Sequence, residues 1–198
     1  MAKVLTPQQG LDKIGLNVEQ VVKRISRTFN KATAEQISDG LFWYTEATDL
    51  VHYLAGSSSR YTEDQVAAAM AHLSPRLRWK QNVEAITELV LNDTIPNYVM
   101  SGPAERARKA LVASNPEATF GKKAKKTLNF SRNCSGCPQS VTVDVWAANV
   151  VGVAESELKL VGVYDAIAHC YRLAAKRAGV TPAQMQAITW IVVRGSAT

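Results

Sequence analysis

The sequence predicts an all-α fold, and three observations carry that reading. Apolar residues recur at helical spacing along several stretches, helix caps punctuate them, and no stretch alternates long enough to make a sheet. The chain has 198 residues, 46% of them apolar, enough for a real hydrophobic interior.

Residues 1–16 read as a loose N-terminal arm, and 17–198 as one helical domain with room for two lobes around a cleft. Asn17 caps an expected helix to about Thr28, with Val18, Val21, Val22 and Ile25 on one face. A longer helix is expected over residues 34–54, ended by the Gly56-Ser57-Ser58-Ser59 turn. Thr62-Glu63-Asp64-Gln65 reads as a capping box for Val66 to Leu73. Ser74-Pro75 reads as a helix start, the helix running to about Leu91. Further helices are expected from Pro103 to Ser114 and from Lys122 to Phe130, with turns over 115–120 and 131–140. After the β-branched Val141-Thr142-Val143, Asp144 opens an apolar helix to about Val151. Tyr164 to Ala178 is amphipathic and closed by Gly179. Thr181-Pro182, with Gln184 following, starts the last helix.

Lys and Arg outnumber Asp and Glu by 23 to 17, a net charge of +6 with a pI near 9.3. That excess points to an anionic partner, duplex DNA being the expected one. The alternative is a merely basic surface. No apolar run approaches a membrane span, and Met1 to Gly10 lacks an export signal, so a cytoplasmic location is expected. Oligomeric state cannot be read from the sequence.

Three cysteines are too few for a disulfide scaffold. Cys134-Ser135-Gly136-Cys137 offers only half of a metal ligand set, and Cys170 stands apart. His52, His72 and His169 fall on separate expected helices without metal spacing. No metal and no cofactor are therefore expected. Trp43, Trp79, Trp146 and Trp190 read as core residues, Trp146 alone being placed to line a pocket mouth.

From about residue 70 the order of elements is distinctive. A glycine turn and basic helix run Thr119-Phe120-Gly121-Lys122-Lys123-Ala124-Lys125-Lys126-Thr127-Leu128-Asn129. A loop leads to Val141-Thr142-Val143-Asp144-Val145-Trp146, and the chain closes on Trp190-Ile191-Val192-Val193-Arg194-Gly195. This resembles the endonuclease III side of the helix-hairpin-helix DNA glycosylase superfamily. It is also similar to uncharacterised proteins of actinobacterial phages, for which the location would be the host cytoplasm. The resemblance covers about 60% of the chain and none of the first ~60 residues. It departs from the family in having one hairpin glycine, with Thr119 at the place of the other, and Trp146 where histidine is frequent.

The resemblance implies a glycosylase-like enzyme acting on modified or damaged bases. Asp144 would be the catalytic carboxylate, and Lys122 or Lys123 would occupy the place of the lysine found in bifunctional members. The family's iron–sulfur motif follows the last helix, and only three residues follow Gly195 here, so no cluster is expected. Gly121, Lys122, Lys123, Lys125 and Lys126 would hold a DNA phosphate at a helix N-terminus, with Arg76 and Arg78 as further phosphate contacts. Read by itself, Asp144 is an ordinary N-cap, and the lysines are a solvated basic face. The functional alternatives are a DNA-binding module without turnover and a phage protein that meets an acidic host protein.

Overall fold

In the computed structural model, residues 5–195 are described. Among them the chain forms ten α-helices and no strand. These are α1 (Pro7–Asp12), α2 (Val18–Phe29), α3 (Ala34–Ser58), α4 (Glu63–Leu73), α5 (Trp79–Asn92), α6 (Ser101–Leu111), α7 (Lys125–Cys134), α8 (Val145–Val150), α9 (Val163–Ala178) and α10 (Pro182–Arg194). They divide between two compact units. One combines the described residues up to Tyr44 with those from Pro138 onward; the other is Thr45–Cys137. α3 contributes residues to both.

In the first unit α9 is the central element, with α1, α2 and α10 packed against it. Its buried face, including Val163, Ile167, Cys170, Tyr171 and Ala174, meets Leu11, Val21, Val22 and Ile25. Close helix approach is built in at Gly40. A Cβ there would stand 2.7 Å from the Cα of Ile188 in α10, so only glycine fits.

In the second unit α4 is the hub, and α5, α6 and α7 pack around it. All of α4 from Val66 to Leu73 is buried, so this short alanine-rich helix is enclosed on every side, as an element apolar all round must be. Its start is the expected one: the Thr62 hydroxyl accepts from Gln65 N, and the Gln65 side chain reaches back to Thr62 N.

Several boundaries differ from the sequence reading. The N-terminal arm is not loose over its described part. Thr6-Pro7-Gln8-Gln9 is itself a capping box, opening α1, and Leu11 is fully buried. α3 does not stop before Gly56 but runs through it to Ser58, and Ser59 ends it at a φ of 51°. The cost of glycine in a helix interior, about 1 kcal/mol, does not outweigh the rest of the helix. Ser74-Pro75 does not open α5. Ser74 is the C-cap of α4, Leu77 N closes a turn onto Ser74 O, and α5 begins at Trp79. Arg76 adopts a φ of 67° in that turn, outside any helix.

The helix expected from Lys122 begins at Lys125 and continues through Ser131 to Cys134. Val141, Thr142 and Val143 are buried but make no strand. The Tyr164 hydroxyl takes the place of a neighbouring strand, donating to Val141 O at 3.0 Å and accepting from Val143 N at 3.1 Å. The tryptophans are not core residues: Trp43, Trp79 and Trp190 are half-buried and Trp146 is exposed. Trp43 and Trp190 pack with ring centroids 5.3 Å apart and planes tilted by 37°, and the Arg194 guanidinium lies over Trp190.

Candidate nucleic-acid interface

The lysine segment lies in the second unit. Between Glu117 and Asp144 the sequence holds no acidic residue, while Lys122, Lys123, Lys125, Lys126 and Arg132 fall inside that stretch. Arg132 is committed to Glu117 through a two-pronged ion pair, 2.6 and 2.7 Å. Lys122 and Lys123 occupy an exposed turn, closed by Ala124 N donating to Gly121 O at 2.8 Å. Lys126 is exposed on the first turn of α7, and Lys125 is half-buried. Ala124 provides no side-chain cap for α7.

The φ of Gly121 is not in the left-handed region, and a Cβ would meet nothing within 4 Å. Neither its backbone conformation nor crowding by the protein itself requires glycine there.

The approach to this turn is fixed from beneath. A 3-10 turn, Pro116–Thr119, leads to Phe120, whose ring is buried. The His72 imidazole, from the last turn of α4, stacks on Phe120 with centroids 4.2 Å apart and planes 16° from parallel. Its Nε2 lies 2.8 Å from Thr119 Oγ1. The Thr119 hydroxyl donates to Pro116 O at 2.6 Å. With its one proton so used, Thr119 accepts from the imidazole, which assigns a neutral ring protonated on Nε2. Burial, assisted by the positive charge of Arg106, lowers the His72 pKa to about 4. Nothing in the sequence signalled that His72 and Thr119 meet, because a lone histidine in an alanine-rich helix carries no motif.

Arg76 and Arg78 are exposed and stand in the turn that follows α4. Since His72 touches Thr119 and Phe120, the C-terminal end of α4 brings this turn and the lysine loop to one end of the same helix. Arg78 is the N-cap of α5 and Lys80 lies in its first turn, so both put positive charge at the positive end of that helix's dipole.

Asp144 belongs to the first unit. It is the N-cap of α8, its Oδ1 accepting from Ala147 N at 2.8 Å, and it is half-buried. Tyr164 holds the segment before it, and the Tyr171 hydroxyl donates to Ala147 O at 3.2 Å behind it. Next to it, Val145 and Trp146 are exposed.

The thiols are structural in surroundings. Cys134 is fully buried and burial raises its pKa; Cys170 is buried in the other unit and pushed up to about 12. No group of three or more metal-ligating side chains forms among the described residues. His52 is exposed and contacts Glu63 at 2.7 Å. No helix among the described residues is long and apolar enough to cross a membrane.

These features describe a basic protein whose described residues are helical and form two compact units, with exposed lysines close together in one loop of the second. The chain belongs to DUF7178, a family of unknown function, which matches residues 8–197. Neither a curated protein nor a solved structure matches it.

Proposed function

We propose that the protein binds duplex DNA through its phosphate backbone, and that it does so as a glycosylase-like base-processing protein of the helix-hairpin-helix type. The observation that carries DNA binding is the acid-free stretch between Glu117 and Asp144, with Lys122, Lys123 and Lys126 exposed around the uncapped end of α7. Clustered cations at a helix N-terminus suit a phosphate without reading any base. Arg76 and Arg78, at the same end of α4, extend the footprint.

The base-processing part rests on Asp144. A carboxylate beside a breaking N-glycosidic bond stabilises the positive charge that develops on the sugar. A second reading, a DNA-binding module without turnover, is favoured by Asp144 already serving as an N-cap and by the undemanding geometry of Gly121.

Binding of a fluorescent duplex across a salt series tests the first claim. Affinity should fall linearly in log–log form as counterions are released, and Lys122→Glu with Lys123→Glu should remove most of it. Undetectable binding near about 50 mM salt, where phosphate contacts dominate, refutes it. Base release from a panel of modified duplexes, read as abasic sites, decides between the two readings.

A further inference from the structure

The second unit contains a cavity of about 200 Å³ beside the α4–α5 turn. Leu73, Leu77, Val99 and Pro103 give it apolar walls, and Arg76 and Tyr98 bring the polar groups. Tyr98 is held by its hydroxyl, which donates to Gln81 O at 3.2 Å. An enclosed apolar cavity near 150 Å³ holds one benzene ring; this space is partly open to solvent and has room for a single ring with small substituents.

Arg76 supplies a second, independent observation. It lines the cavity at a φ of 67°, a conformation that glycine or asparagine adopts readily and arginine rarely does. Nothing in the turn fold demands arginine; glycine would relieve the backbone. A strained residue that lines an apolar pocket and carries a cation is the pattern of a ligand contact.

We propose that this cavity binds a single aromatic ring bearing an anionic group, of the kind a pyrimidine nucleotide presents. The ring enters the apolar walls and the anion meets the Arg76 guanidinium. The nucleotide can come free or as a unit of a single strand. The site uses none of the lysine loop but shares Arg76 with the proposed duplex footprint, so nucleotide binding and duplex binding are measured separately.

Titration of the full chain with thymidine 5′-monophosphate, followed by NMR or calorimetry, tests it, with thymidine and inorganic phosphate as partial ligands. The nucleotide should bind at least about tenfold more tightly than either part. Arg76→Gly should weaken it by about tenfold or more, yet raise Tm by about 2–4 °C through relief of the backbone. Arg76→Lys should retain most of the binding and Arg76→Gln should lose it, which holds whichever way stability moves. Competition by short oligo(dT) at lower concentration identifies a strand as the source; competition by free nucleotide alone identifies a small molecule. Absence of saturable nucleotide binding up to about 10 mM, phosphate alone binding equally well, or unchanged binding in Arg76→Gly would overturn the proposal.

Discussion

Protonation of His72 should destabilise the protein's second unit in acid, and the structure sets the size of the effect. The imidazole is only 4% exposed, packed on Phe120 and bonded to Thr119. In the unfolded chain its pKa returns to 6.5, against about 4 when folded. Between those values the unfolded state binds more protons, so stability rises with pH and is lost as pH falls from 6.5 towards 4. A difference of 2.5 units at 1.36 kcal/mol each gives about 3 kcal/mol, fully lost below pH 4.

The assay is urea unfolding at half-unit steps from pH 7 to 4, comparing the protein with His72→Gln, which keeps an amide donor but does not titrate. The variant is less stable at pH 7, through the lost stack, yet its pH dependence should be flatter by about 3 kcal/mol over the range. NMR titration of the imidazole gives the folded pKa directly. Parallel curves, or an imidazole that titrates near 6.5 in the folded state, would refute the reasoning.

Other outcomes follow from single contacts. Tyr164→Phe removes the hydroxyl shared by Val141 O and Val143 N, leaves both buried groups unpaired, and should cost about 2–4 kcal/mol in thermal or urea unfolding. Gly40→Ala drives a methyl into the Ile188 backbone and should cost about 2–3 kcal/mol, with first-unit amides losing exchange protection first. Asp144→Asn keeps the cap on Ala147 N and should change stability by less than about 1 kcal/mol, while base release, if Asp144 carries it, drops by ~10² or more. Arg177→Ala breaks only the exposed pair with Glu19 and should leave urea stability within about 1 kcal/mol.

What was legible in the sequence was whatever local chemistry decides. The Asn17, Thr62 and Thr181 capping boxes sit where their residue types place them, because a cap needs only its own four residues. The same signature at Thr6-Pro7-Gln8-Gln9 was equally readable, yet the stretch passed for a loose arm. Its burial depends on α9, more than a hundred residues away. Tertiary demands also overrode local signals at Ser74-Pro75, where a start signal became a turn, and at Gly56, inside a continuing helix. The tryptophans looked like core because their neighbours are apolar, but a helix face open to water cannot be told from a buried one by composition alone. A unit drawn from two discontinuous segments, like the first one here, lies beyond any local reading.

The candidate site divides along the same line. Charge is a property of the sequence, so Lys122, Lys123 and Lys126 could be named before any geometry was known, and each is exposed. The support beneath them could not, because His72 and Thr119 are 47 residues apart in the chain. That support bears on what the lysines can do. A turn tethered only by its own bond from Ala124 N to Gly121 O would lose entropy on meeting a phosphate. Here the preceding residues are already stacked and bonded against a buried helix, so less ordering remains. His72→Gln measured at pH 7 separates these contributions. If the anchor preorganises the turn, DNA affinity falls while the salt slope, which counts phosphates, stays the same. If the cations act independently of the loop beneath them, affinity and slope are both untouched. A changed slope would mean that the lysines themselves had moved, and the preorganisation argument would fail.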